Sequence, residues 1–280
     1  MNLLRRTASL PGLRSVLLRP GIRRRVAGVL ALRFLVAAFA TSTPLSVLAG
    51  EVARRGEVGV YRLRSSGRTV ALQHGRDMEP LFELFVRGEY EPPQALVPRL
   101  DPDRIREVLD VGANVGMFAA WALGRWPRSR VTCVEPSPQN LTVLRRVVGT
   151  ESGRLELVEA AVGTEAGEAG FVDGWGGGSH LSTQAEDGEV TTVPVVDYLP
   201  LFARADFVKM DIEGAEWPIL ADDRLAEVGP TVLVLEYHRV GAPFLPAVDA
   251  AYELLTGAGF QVEHGHANYW GHGTLWAWKD

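Results

Sequence analysis

The sequence predicts an α/β fold: a mostly parallel seven-stranded sheet with an antiparallel edge strand, preceded by a helical and hairpin extension. Three observations predict it. From Ile105 onward, apolar runs of strand length alternate with helix-length segments, the pattern of parallel β-α-β units. The run Val108-Leu109-Asp110-Val111-Gly112-Ala113-Asn114-Val115-Gly116 reads as a buried strand, a tight glycine turn and a helix start. The last run, Thr274–Trp278, follows its neighbour through Gly271 and Gly273, which favours a hairpin and so an antiparallel edge.

In chain order, Leu3–Ala40 reads as helical pieces broken at Pro11 and Pro20-Gly21, with a further break at Thr41–Pro44. Val58–Leu63 and Thr69–Gln73 read as short strands around the turn Ser65-Ser66-Gly67. Asp77 is placed to cap a helix through Val86, with Leu81, Phe82, Phe85 and Val86 on one face. Pro92-Pro93 and Pro98 mark a linker. Sheet strands are expected over 106–111, 130–135, 155–160, 205–210, 230–236, 259–263 and 273–278, with helices near 115–124, 137–148, 214–220 and 245–257. Trp270, Trp276 and Trp278 read as packing of the last strands. Asp173–His180 carries four glycines in five positions and reads as a flexible loop, a solvent loop or a lid. The organisation is therefore a basic helical arm over 1–50, a cap of hairpin and helix over 51–100, and a ligand-binding domain over 101–280.

Composition bounds the function. A chain of 280 residues, 46% hydrophobic and 22% charged, can bury one sizeable α/β core plus an appendage. Its one cysteine, Cys133, lies inside an apolar strand and excludes an intrachain disulfide, which suits a reducing compartment. Residues 1–50 hold eight arginines and no acid, leaving −13 on the remainder to reach the net −5. An acidic body argues against nucleic acid as a partner. The arm suits an anionic membrane surface or an acidic partner, or else packs on the body or on a second subunit. Arg33 splits the apolar stretch Val26–Ala40, and a span needs ~20 apolar residues, so no membrane crossing is expected. Arginines as far as position 25 do not fit a signal peptide, and a cytoplasmic or membrane-surface location is expected.

The glycine turn lets the backbone come close to a ligand, because no Cβ stands in the way. Nineteen residues after Gly116, Glu135 closes the next apolar run, where an acid can accept both hydroxyls of a ribose. A dinucleotide site wants G-x-G-x-x-G, with a middle glycine making room for pyrophosphate. Here Asn114 stands between Gly112 and Gly116, and Asp110 would repel phosphate and attract an ammonium group. S-adenosylmethionine, with an amino acid tail in place of pyrophosphate, fits better than a nicotinamide dinucleotide. A strand–turn–helix without a ligand is the plainer alternative.

A third segment, Phe207-Val208-Lys209-Met210-Asp211-Ile212-Glu213-Gly214-Ala215-Glu216-Trp217, resembles the K-I-D-x-E-G-x-E signature of FkbM-type methyltransferases. The resemblance extends to Asp110–Gly116, Glu135-Pro136-Ser137-Pro138, Glu159-Ala160-Ala161-Val162-Gly163 and Leu235-Glu236-Tyr237-His238. A weaker match lies at Asp77, Glu83 and Gly88-Glu89-Tyr90, so that about Asp77 to His238 is covered. It implies a class I methyltransferase, Rossmann-like fold and S-adenosylmethionine-dependent methyl transfer, usually to a hydroxyl of a sugar, glycolipid or polyketide.

On this reading Asp110 binds the amino end of the cofactor, directly or through water. Gly112, Ala113 and Asn114 offer backbone contacts, Gly116 gives close helix packing, and Glu135 with Pro136 holds the ribose. Glu159 and Ala160 match the positions that contact adenine, and Ser137 caps the next helix. Asp211, Glu213 and Glu216 crowd the active edge, although acids at a helix start are also favoured by its dipole. Lys209 shares a strand face with Asp211 and can offset their charge. His238 shares a face with Glu236 and is a candidate base. His180 is a second, arriving on loop closure. Asp77, Glu83 and Tyr90 are candidates for a cap over the acceptor. A metal on Asp211, Glu236 or His238 is left open, because the spacing is no recognisable metal signature. The expected partner is a small-molecule or glycan acceptor, and homo-oligomerisation stays open. The rivals are a nicotinamide oxidoreductase on the same fold and a non-catalytic module recruited by the arm.

Overall fold

The computed structural model describes residues 20–151, 153–172, 180–182, 190–229, 231–267 and 271–280, with backbone alone for 20–26 and 180–182. Two helices, α1 (Pro20–Ala38) and α2 (Pro44–Ala53), lead to a hairpin, β1 (Val58–Arg62) and β2 (Thr69–Gln73). Helix α3 (Met78–Phe82) continues as one wider turn over Glu83–Arg87, and Gln94–Leu100 forms a 3-10 segment. The body follows as β3 (Glu107–Val111), α4 (Met117–Arg125), β4 (Arg130–Val134), α5 (Pro138–Thr150) and β5 (Leu155–Val158). Then come β6 (Ala161–Gly163), β7 (Gly167–Val172), β8 (His180–Ser182), β9 (Val190–Asp197) and α6 (Leu199–Phe202). The chain closes with β10 (Phe207–Met210), α7 (Glu216–Leu220), a 3-10 turn (Asp223–Glu227), β11 (Val232–Tyr237), α8 (Ala247–Gly257), β12 (Gln261–Ala267) and β13 (Gly273–Trp278).

The main sheet runs β12-β13-β11-β10-β3-β4-β5, with β11, β10, β3, β4 and β5 mutually parallel. Strand β13 is antiparallel to both its neighbours, as the short connection through Gly271 and Gly273 requires. It sits one place in from the margin. All six of its residues are buried, including Trp276 and Trp278, whereas β12 carries exposed polar residues and takes the edge. Burial decides that order, since the strand with the larger apolar area gains more from a neighbour on each side.

Alternation along the strands divides the core into two layers. Val108, Phe207, Val232 and Val234 face α4 and α5 together with Ala37, Val47, Val70 and Leu81. Leu109, Val111, Met210 and Leu235 face Trp217, Ile219, Ala250 and Leu255 on the other side. The N-terminal helices and hairpin thus share a core with the body, and the division expected at 50/51 falls inside α2. Arg33 of α1 pairs with Glu79 at 2.5 Å and lies over the Phe82 ring, while Val29, Leu32, Leu35, Val36 and Phe39 stay exposed. Among the described residues no helix is long and apolar enough to cross a membrane.

A second sheet, β6-β9-β7-β8, interrupts the β-α-β order and was not expected. Gly167-Glu168-Ala169-Gly170 is poor strand sequence, and Pro194 inside β9 argues against a strand. Pairing supplies what the local sequence lacks: β7 runs antiparallel to β9 along six residue pairs. Residues 173–179 of the expected flexible loop, a solvent loop or a lid, lie outside the described residues.

Candidate active site

The carboxyl ends of β3, β4, β10 and β11 open into one cleft of about 360 Å³, within the ordinary range for small-molecule sites. Gly112, Asn114, Glu135, Asp211, Glu236 and His238 line it, and Glu83 and Tyr90 lie against it from the cap.

The turn after β3 forms one end. Gly112, Asn114 and Gly116 all have positive φ, at 75°, 51° and 82°. The Gly112 and Ala113 N–H groups both donate to the Val134 carbonyl at 3.0 Å, which ties the turn to β4. A Cβ on Gly112 would overlap the Asp211 carbonyl oxygen, so β3 and β10 approach more closely here than any side chain permits. At Gly116 the same test meets Leu144 of α5, the close helix packing expected of this glycine.

Glu135 is 4% exposed and faces the cleft. Its carboxylate accepts from Asn114 N (2.7 Å), Ser137 N (2.8 Å) and Asn140 Nδ2 (3.2 Å). Oε1 already accepts two of these bonds and Oε2 one, so Oε2 keeps a lone pair for a further donor. Burial raises its pKa to about 7 against the opposing pull of these donors. Ser137 caps α5, accepting from Asn140 N at 3.2 Å, and Ala113, Pro136 and Ala160 line the cleft wall.

Two candidates, Asp110 and Glu159, are not brought to the cleft wall. Asp110 is fully buried beneath the floor, on the α4 side of β3. Register pairs it with Lys209 of β10, whose Nζ lies 3.3 Å from Oδ1; burial still raises the Asp110 carboxyl above its usual range. Glu159 follows the end of β5 and forks with Arg145 at 2.8 and 2.6 Å on the surface. Such an exposed pair, screened by water, adds little to stability. His180 opens β8, where it pairs with Val172 in place of riding a free loop; its side chain lies outside the described residues. Asp77 lines the cleft, but its carboxylate turns back to Gln73 N (2.7 Å) and Arg76 Nε (2.6 Å) and does not cap α3.

Lys209 joins the two ends of the site. It is 4% exposed, and its Nζ donates to the Gly112 carbonyl at 2.6 Å while lying 3.6 Å from Asp211 Oδ2. Burial lowers its pKa, but Asp110, Asp211 and Glu236 raise it by more, so the ammonium is retained. This is the offset that the acids of the β10 end require.

The opposite end is carboxylate-rich. Glu213 adopts φ 54°, a left-handed conformation rare outside glycine, and its Oε2 comes within 3.6 Å of His238 Nε2. Asp211 Oδ1 and Glu236 Oε1 lie 3.9 Å from the same nitrogen. Tyr90 donates its hydroxyl to Glu236 at 3.4 Å. Burial and the neighbouring Asp211 push Glu236 well above the carboxylate range.

Glu216, part of the signature, has a role that its sequence position concealed. It is fully buried and accepts from Gly214 N (2.8 Å), His238 N (2.8 Å) and His238 Nδ1 (3.2 Å). Burial would pull the His238 ring down, but the Glu216 hydrogen bond and the charges of Asp211, Glu216 and Glu213 push it up to about 10. His238 is therefore an imidazolium near neutral pH and holds no lone pair for a general base. The helix start explained Glu216 without a role, and only its contact with a residue 22 positions on reveals one. His272, not singled out in the sequence, lines the cleft with its ring centroid 5.1 Å from that of His238.

Residues 110–262 match the methyltransferase FkbM domain family. The chain is also 29% identical over 249 residues to the AMB antimetabolite synthetase AmbE of Pseudomonas aeruginosa; the match takes in 70% of this chain but spans only 11% of that protein's length. Among solved structures it is similar to the precorrin-6y C5,15-methyltransferase of Geobacter metallireducens (TM-score 0.38, 18% identity, 69% of this chain and 96% of that one). It is also similar to the T. thermophilus 16S rRNA N2 G1207 methyltransferase (TM-score 0.41, 16% identity, 80% of this chain and 50% of that one).

Proposed function

The chain belongs to the FkbM methyltransferase family, enzymes dependent on S-adenosylmethionine, and on that premise we propose that it methylates a hydroxyl of a sugar, glycolipid or polyketide-type acceptor. The observation that carries this reading is the division of the cleft. A turn and a ribose-type carboxylate, Asn114 and Glu135, stand at one end; Asp211, Glu213 and Glu236 stand at the other.

Bound S-adenosylmethionine supplies a methyl group already activated on a positive sulfur. Glu135 would take a ribose hydroxyl at the open lone pair of Oε2. The Ala113–Asn114 backbone flanks the same end, and Ala160 offers an apolar wall to the base. Asp110 acts from beneath: it holds Lys209, and Lys209 holds the Gly112 carbonyl and so the shape of the turn. The Asp211 and Glu213 side chains at the far end would favour a cationic sulfur electrostatically. Asp211 would receive the acceptor's hydroxyl proton when the methyl group passes from sulfur to oxygen. His238, already protonated, orients the carboxylates around it.

The test is incubation of the full chain with methyl-labelled donor and hydroxylated sugars, glycolipids and polyketides, followed by mass analysis of the product. The reading expects label in a base-stable methyl ether. Label on nitrogen or carbon, or donor binding with no transfer to any hydroxylated acceptor, overturns it.

A further inference from the structure

We propose that Asp211, Glu213 and His238 bind a divalent cation of the Mn2+ or Mg2+ kind at the acceptor end of the cleft. One oxygen of each carboxylate and one ring nitrogen lie within 4.8 Å of one another. The separations from His238 Nε2, 3.6 Å to Glu213 and 3.9 Å to Asp211, are too long for hydrogen bonds. They are what a small ion imposes: ligands at ~2.0–2.2 Å from a metal stand roughly 3–4 Å apart.

The second observation is the way His238 is held. The residue is 3% exposed, and its Nδ1 rests 3.2 Å from Glu216 Oε1. The same oxygen accepts the His238 backbone N–H at 2.8 Å, while the other oxygen accepts Gly214 N. A buried carboxylate thus fixes the ring from behind and turns Nε2 toward Asp211 and Glu213. This carboxylate–histidine arrangement is how proteins orient an imidazole ligand toward a metal. Glu236, with Oε1 3.9 Å from Nε2, gives the ion a further oxygen neighbour. Two carboxylates with one imidazole suit Mn2+ and related ions, and binding displaces the ring proton, as metal ligation by histidine requires.

The role of the ion rests on the methyl-transfer reading: facing the cleft, it would hold the acceptor oxygen beside Asp211. The binding itself rests on the geometry alone. Its test is titration of the full chain with Mn2+, followed by loss of the free-ion paramagnetic resonance signal, with donor calorimetry on the same samples. The expected result is one Mn2+ per chain, weakened at least about tenfold by Glu213→Gln and by Asp211→Asn, and unchanged by Glu159→Gln on the surface. Glu213 is 31% exposed, so its variant keeps the fold, and a thermal melt checks this. Donor binding without Mn2+ binding discards the cation site alone. Mn2+ binding without donor binding discards the methyl-donor reading alone. An affinity that Glu213→Gln and Asp211→Asn leave unchanged overturns the proposed ligand set.

Discussion

Asp211→Asn should slow methyl transfer by about 10²–10⁴-fold while changing donor affinity by less than about tenfold. The substitution keeps shape and removes charge. Its site explains the size of the effect. Asp211 follows β10 directly, its backbone N–H donates to Val111 at 3.1 Å, and its side chain stands between the Lys209 ammonium and the His238 imidazolium. Two neighbouring acids are shifted toward the protonated form. Glu236 is buried and pushed well above the usual range, and the cap carboxyl Glu83 is raised to about 8, chiefly by burial and then by Glu89 and Glu79. The effect belongs to the chemical step, so single-turnover rates with labelled donor should fall with kcat while donor calorimetry stays near wild type. A single-turnover rate within threefold of wild type removes Asp211 from the reaction.

Gly112→Ala should destabilise the chain by about 3 kcal/mol or more, a fall of ~6–12 °C in melting temperature. Two independent costs act at this position. The backbone sits at φ 75°, where a Cβ is strained, and the added carbon would overlap the Asp211 carbonyl, a backbone atom unable to swing aside. Separation of β3 from β10 also pulls the Gly112 carbonyl from Lys209, so donor affinity should fall with stability. Gly149→Ala in α5 is the control. A Cβ there meets nothing within 4 Å, and helix propensity favours alanine by up to ~1 kcal/mol. Equal melting temperatures for Gly112→Ala and wild type contradict the close approach of the two strands.

The parallel core was legible because its signals are local. Val108–Gly116 carries its strand, turn and helix start within nine residues, and Glu135 is found by counting to the next apolar run. What escaped depends on partners far away in sequence. Asp110 looks like a ligand contact until register sets it beside Lys209, on the core side of the sheet and beneath the cleft. Glu159 matches an adenine position, but Arg145, one turn and strand earlier, draws it to the surface. His238 reads as a base by its ordinary pKa; the carboxylates of Asp211, Glu213 and Glu216 reverse that role. The small sheet was hidden for the same reason, since the strand character of Gly167–Val172 comes from pairing with β9 and not from its own residues.

The central claim is that the ribose of S-adenosylmethionine rests on the ionised carboxylate of Glu135, and calorimetry across pH 6–8 on wild type and Glu135→Gln tests it most directly. A hydrogen bond to a charged acceptor contributes about 1.5–3 kcal/mol, which predicts roughly a 10- to 100-fold loss in the variant at pH 8. Because burial holds Glu135 near 7, protonation competes at pH 6, so wild-type affinity should climb with pH while the variant's stays flat. Equal affinities in the two proteins at pH 8 would contradict the account.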